Sequence, residues 1–394
     1  MQRRGRSWGA SWPHMSIRLS GRAILLVLLG LAGGFGCGSS GSVAGTGGSG
    51  GSSGSGGSPG TGGNTSDGGL TKAPSGLPEP ATSGVAKPSG TAGSLTVLPW
   101  AGFKAAVSWT FDDSQPSQIA HYAELAAVGI PMTFYISTGN SSESGYDATW
   151  TQAVADGNEI GNHTVHHCHA DLTGCSFGTA DATLTQELDD CTSYIGQHYA
   201  PQTTAWTAAS PFGDTGYDSD DMSRFLVNRG VAGGTIGAND TTDPFNLPIY
   251  LAQTADTAAN FSTQIDNAHT AGKWLILLVH TINPTSDNWY NPVDITDVTG
   301  GMSHGKSLPD VWNDSVVNVA AYWRAQKMLS AVTPTMAGGS STWTWTLPAN
   351  FPPGKYLRVT VAGGTLTQGS TTLTWDTHGF YEVALDAGTL TLSP

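Results

Sequence analysis

From Lys104 onward, short apolar runs rich in β-branched and aromatic residues alternate with longer stretches in which apolar positions recur at helical spacing. The runs at 105–111, 131–137, 159–163, 203–209, 231–236 and 274–280 predict strands. The intervening stretches 117–127, 149–155, 183–199, 219–229 and 257–271 predict helices. Strands alternating with helices of these lengths imply a parallel sheet with crossover helices. A last helix over 316–330, with Val316, Val319, Ala320, Trp323, Met328 and Leu329 on one stripe, closes the array.

After Pro334 the texture changes to period-two runs at 342–347, 356–361, 371–375, 381–385 and 389–392, separated by glycine-containing turns. These predict antiparallel strands, so 335–394 is expected to be a small all-β module appended to a core over 99–334. Trp343, Trp345 and Trp375 alternate within these strands, as sheet-face residues or as a platform for sugar rings.

The N-terminal side reads differently. Arg3, Arg4, Arg6, Arg18 and Arg22 precede the apolar run 23–32, which leads through small residues to Cys37. This is the order of an export signal over 1–37. The run is about half the roughly 20 residues a membrane span needs. Leu31 to Cys37 resembles a lipoprotein processing site with Gly34 where Leu is usual, so acylation of Cys37, plain secretion and a retained signal anchor all stay open. Residues 38–98 are Gly/Ser-rich and then Pro-rich, and are expected to form a flexible linker.

Charge narrows the partners. Removing residues 1–36 takes away five arginines and no acidic residue, which leaves 11 basic against 30 acidic side chains, a net −19. Such a surface repels phosphate backbones, so nucleic acid is not expected as a partner. Cys168, Cys175 and Cys191 allow one internal disulfide, Cys168–Cys175 or Cys175–Cys191, and no C-x-x-C spacing points to a thiolate metal site.

Three clusters carry chemistry. Asp112 and Asp113 stand directly after an apolar strand, where two adjacent carboxylates need compensation; taken alone they also read as a turn or helix cap. His163 and His167 follow the strand at 159, four residues apart, so one helical turn would set both imidazoles toward a single metal. His280 ends the apolar run that begins at Trp274. Each cluster lies at the carboxyl end of a different predicted parallel strand, where sites in α/β folds assemble.

On these residues the region 99–334 resembles the polysaccharide deacetylases of NodB homology, carbohydrate esterase family 4. Thr110-Phe111-Asp112-Asp113 is similar to the family's T-F-D-D, His163 to His167 to its H-S/T-x-x-H, and Leu278-Val279-His280 to its L-x-H. The resemblance implies a distorted (β/α)7 barrel and removal of N- or O-linked acetyl groups from a chitin-like, peptidoglycan or xylan polysaccharide. It implies that Asp113, His163 and His167 hold a divalent ion, usually Zn2+, with Co2+, Mn2+ or Ni2+ as alternatives. Asp112 is then the general base toward a metal-activated water, and His280 the general acid. In Ala209-Ser210-Pro211-Phe212, which aligns with the family's R-x-P-Y/F, Phe212 would supply a backbone N–H to the oxyanion beside Pro211. Ala209 stands where that motif has an arginine that orients the base. Asp240 or Asp243 is a candidate for the acidic residue that tunes His280, and the loops 169–182 and 281–309, with Trp289, Tyr290, Met302 and His304, are expected to shape the cleft. The rival expectations are a membrane-tethered glycan-binding protein without turnover and a metallohydrolase for another bond.

Overall fold

The computed structural model describes residues 75–284 and 289–394. The expected export signal, Cys37 and the Gly/Ser-rich part of the linker lie outside these residues. Among the described residues no helix is long and apolar enough to cross a membrane.

Seven parallel strands close on themselves: β1 (Ala105–Asp112), β2 (Thr133–Ile136), β3 (Glu159–Asn162), β4 (Thr207–Ala209), β5 (Val227–Gly233), β6 (Leu247–Leu251) and β7 (Lys273–Val279). They pair in that order, and β7 returns to β1 from Ala106↔Trp274 to Phe111↔Val279. The expected distorted (β/α)7 barrel is therefore what the chain forms. Its distortion lies at the base. Val311–Asn313 pairs with β1 at Ala105 to Val107, whereas β2 takes over only from Thr110. Ile236–Gly237 likewise occupies the lower part of β7 beside Trp274, and β6 pairs from Leu277.

Side chains alternate along each strand. Leu275, Leu277 and Val279 join the apolar layer under the helices, whereas Trp274, Ile276 and Leu278 join a second cluster with the base. The same parity puts Ser108, Thr110 and Asp112 of β1 on one face, and Glu159, Gly161 and then His163 on one face of β3. The layer at the base is aromatic. Trp100, Trp274 and Trp323 meet at ring separations of 6.5 and 6.3 Å, and each buried indole N–H has an oxygen to donate to: Gly272 O, Ser108 Oγ and Gly237 O.

The helices are α1 (Pro116–Ala120), α2 (Tyr122–Ala127), α3 (Asp147–Ala155), α4 (Leu184–His198), α5 (Asp218–Asp221), α6 (Ala258–Ala271), α7 (Ile295–Ser307) and α8 (Val316–Ala331). The expected helix over 117–127 is two helices broken at His121. The expected helix 219–229 is wrong over most of its length: α5 stops at Asp221, and β5 runs from Val227, earlier than the 231–236 expected. β6 carries Pro248, a residue that demotes a strand reading, and α7 carries Gly300, Gly301 and Gly305, which depress helix propensity. Those glycines serve packing. A Cβ at Gly301 would stand 2.6 Å from Phe261 of α6, and one at Gly300 2.8 Å from Ala258.

The C-terminal region is a β-sandwich. One sheet runs Thr335–Ala337, Ser340–Thr344, Thr389–Ser393, Thr365–Gln368, Thr371–Thr372; the other pairs Thr96–Val97, Tyr356–Thr360, Phe380–Ala384 and Trp375–Asp376. Trp343 and Trp345 are buried in the sandwich core, so the reading of these two as a sugar platform is corrected; Trp375 is half-buried and donates to Val85 O. The linker reading is corrected as well from Ser75 onward: this part is a strap built into the sandwich. Buried Arg358 donates to Pro78 O at 2.7 Å and Ala101 O at 2.9 Å and pairs with Glu382 at 3.2 Å. Val85 N donates to Thr377 O, Gly90 N to Ala362 O, and Thr96 lies in register with Thr360.

Candidate active site

The clusters picked out in the sequence converge at the carboxyl end of the barrel. β1 delivers Asp112 inward, and the chain then turns through Asp113 (φ 76°) and Ser114 (φ 52°), which brings the next carboxylate to the same place. Left-handed backbone at two consecutive non-glycine residues is uncommon and is held by its surroundings. Here Asp113 N donates to Tyr135 O at 3.1 Å, and Gln115 Nε2 donates to Asp113 Oδ2 at 3.2 Å.

His163 and His167 come together, though not on the helical turn expected. The segment after β3 is irregular, with Thr164 at φ 65° and His167 at φ 50°, and the Thr164 hydroxyl accepts from His167 N at 2.9 Å. The imidazoles end with centroids 4.7 Å apart. His163 Nδ1 donates to Ala209 O at 2.7 Å and His167 Nδ1 lies 3.0 Å from Ser176 Oγ, which turns each Nε2 toward Asp113. Asp113 Oδ1 is 3.3 Å from His163 Nε2 and 3.4 Å from His167 Nε2. His280, the first residue past β7, puts its Nε2 4.0 Å from Asp113 Oδ2 on the other side.

The electrostatics suit a cation. Burial opposes the charge on Asp113, but the His163 imidazole beside it, then His280 and His167, win, and its carboxyl is held well below the usual range. Burial, then repulsion from His163, pushes His167 down to about 4, which leaves its lone pair free near neutrality. Burial lowers His280 too. Burial also acts to lower His163, but Asp112 and Asp113 more than offset it and raise its pKa. Asp113 Oδ1 is buried with no hydrogen-bond partner among the described residues, while two imidazole nitrogens face it. One ligand atom from each of Asp113, His163 and His167 lies within 4.8 Å of the others, the donor set and spacing of a tetrahedral or five-coordinate divalent ion with open positions.

Aromatic side chains frame the mouth. Phe212 (φ 59°), in the turn after β4 that begins at buried Pro211, stacks on His169 at 4.1 Å and sets its edge against His167 at 4.5 Å. Phe177 stacks on Trp289 at 6.1 Å, and Tyr290 meets His280 edge-on at 5.0 Å. Phe212, Trp289 and Tyr290 are the large aromatics left most exposed among the described residues. The Cys168–Cys175 disulfide closes the loop that carries His169, and Cys191 is free and buried, so the rival pairing is excluded.

Two other candidates fall away. Asp240 accepts from Gly237 N and Thr242 N, and Asp243 accepts from Phe245 N; neither contacts His280, whose Nδ1 has no partner among the described residues. His304 bonds Asp266 across α7 and α6, and Met302 is core. One residue was missed. Arg229 of β5 is 1% exposed, and its guanidinium donates to Asp112 Oδ2. The strand parity of Val227 and Arg229 was the available signal, obscured by the helical reading of 219–229.

Residues 102–226 match the family model described as polysaccharide deacetylase. No curated protein matches the chain. Similar solved structures include the Xyl-CE4 domain of a multidomain xylanase from the hindgut metagenome of Trinervitermes trinervoides, at 14% identity over 54% of this chain and 88% of that one, with a TM-score of 0.37. A probable polysaccharide deacetylase from Pseudomonas aeruginosa shares 12% identity over 57% and 93%, TM-score 0.42. One from Mycobacterium smegmatis shares 13% over 65% and 98%, TM-score 0.40.

Proposed function

We propose that this chain, whose residues 102–226 match the polysaccharide deacetylase family, hydrolyses acetyl groups from a polysaccharide and releases acetate. The observation that carries the reading is the orphaned Asp113 Oδ1 between two imidazole nitrogens, with a second carboxylate and a third imidazole beside it. Asp113, His163 and His167 would hold a divalent ion, most simply Zn2+, which supplies Lewis acidity toward water and the acetyl carbonyl.

The chain's own groups supply the rest. Asp112 Oδ1, buried and without a partner, takes a proton from the attacking water as its oxygen bonds to the acetyl carbon. The Phe212 backbone N–H donates to the oxyanion. His280, in the fraction of enzyme where it carries a proton, then gives it to the departing sugar nitrogen or oxygen as that atom's bond to the acetyl carbon breaks. The exposed aromatic frame of Phe212, Trp289 and Tyr290 suits pyranose faces, which supports an acetylated glycan of the chitin, peptidoglycan or xylan class. Export by residues 1–37, with or without acylation of Cys37, would bring the enzyme to such a polymer.

Acetate release by the full-length chain from acetylated xylan, chitooligosaccharide and peptidoglycan tests the reading. Release should stop with a chelator and return with Zn2+. Binding of glycan by a folded, metal-loaded protein that releases no acetate would replace the reading with that of a glycan-binding protein.

A further inference from the structure

The family's arginine that orients the general base is absent at position 209, where β4 presents a buried alanine. Ala209 lies in register with Arg229 of β5. Paired residues on adjacent parallel strands point to the same side of the sheet, about 4.8 Å apart. A guanidinium from position 229 therefore enters the space that one from position 209 would fill, and it ends on Asp112 Oδ2.

We propose that Arg229 is the positioning residue for Asp112, supplying from the neighbouring strand the cation that position 209 lacks; the catalytic meaning of this rests on the deacetylase reading above. The contact is selective. Arg229 engages Oδ2 and leaves Oδ1 buried and unpartnered, so the base is held by one oxygen and presents the other. The guanidinium is itself fixed: Nη1 donates to Gly230 O at 3.2 Å, and its carbon lies 5.3 Å above the centre of the Tyr135 ring. Tyr135 is locked in turn by a 3.0 Å hydrogen bond with Thr207 Oγ1, and its ring fits because residue 161 is glycine; a Cβ there would stand 2.4 Å from the ring carbons.

The test is a positional swap in the full-length, zinc-loaded chain. Arg229→Ala, and the volume-keeping Arg229→Met should alanine fail to fold, are expected to lose about 100-fold in kcat while keeping bound zinc and KM within a few-fold. Adding Ala209→Arg to Arg229→Ala should restore at least about tenfold, whereas Ala209→Arg alone should impair the enzyme, because two buried guanidinium groups then compete for one carboxylate. Crystal structures of wild type and Arg229→Met give a readout free of activity: the Asp112 carboxylate should leave its position in the variant. An unmoved Asp112, or kcat within threefold of wild type, overturns the proposal. If the wild type releases no acetate from any substrate, the deacetylase reading fails, and the position of Asp112 alone decides the role of Arg229.

Discussion

Glu159 at the base of the barrel is buried as deeply as Asp112 at its mouth, and the two are treated in opposite ways. Glu159 accepts from Thr133 Oγ1 at 2.8 Å, Thr207 Oγ1 at 2.7 Å and Val317 N at 2.9 Å, so both oxygens are bonded and one of them holds the first turn of α8. At the mouth, Asp112 Oδ1, Asp113 Oδ1 and His280 Nδ1 have no hydrogen-bond partner among the described residues, and left-handed backbone gathers at Asp113, Ser114, Thr164, His167 and Phe212. Buried polar groups are normally satisfied and backbone is normally relaxed. Where both rules fail together, stability is being given up for something else, and Asp113 Oδ1 faces the two imidazole nitrogens that would share a ligand with it.

That contrast can be broken by substitution. Asp112→Asn keeps the shape and removes the base; acetate release by the folded fraction should fall by about 10²- to 10⁴-fold, beyond the loss of stability that comes from leaving buried Arg229 without its counter-charge. A variant as unstable as it is inactive would place Asp112 among the structural carboxylates. Glu159→Ala should do the reverse. Stranding two hydroxyls and a helix N–H should lower unfolding free energy by about 2–4 kcal/mol in denaturant titration, with zinc affinity and kcat of the folded fraction retained.

Asp221 sharpens the comparison, because it is a buried carboxylate in neither class: 1% exposed, with neither oxygen hydrogen-bonded among the described residues. Burial, with Asp218 and Asp220 adding repulsion, pushes its pKa up from 3.8 to about 8. Between those values the folded chain keeps a proton that the unfolded chain releases, so stability falls as pH rises through this window. Asp221→Asn should abolish that slope, be indistinguishable from wild type at the acid end, and exceed it by about 1–3 kcal/mol above pH 8. Equal stability at alkaline pH would mean that the carboxylate has a partner there. The smallest effect is expected at the rim, where Trp289→Ala should raise KM for a polymeric substrate by at most about tenfold and leave kcat alone, as loss of uniform binding does.

Much of this was legible before any coordinates. The continuous apolar run into His280, the strand ending in Asp112 and Asp113, and the histidine pair after β3 each announced a strand end, and three strand ends announced one site. What the residues could not announce was local geometry: left-handed turns at Thr164 and His167, not a helical turn, bring the imidazoles together. Arg229 was hidden for a different reason. Phe225, Leu226 and Arg229 satisfy a helical spacing, and only the pairing with β4 reveals the strand. α7 was hidden because three glycines weaken its helical signal, yet Gly300 and Gly301 are what lets it lie against α6, and Gly305 gives room to Asn313.

The strap of residues 75–104 carries one more consequence, mechanical in kind. It is stitched to the sandwich through Arg358 and Thr360, and its Trp100 reaches Gly272, the residue just before β7 begins. All of these points lie toward the amino end of the barrel strands, the pole opposite the Asp/His centre. A pull through Ser75 would therefore meet the sandwich and the aromatic floor before any strand end that carries Asp112, His163 or His280. Held from that side, the molecule would be moored by its floor, with its mouth free to meet a polymer.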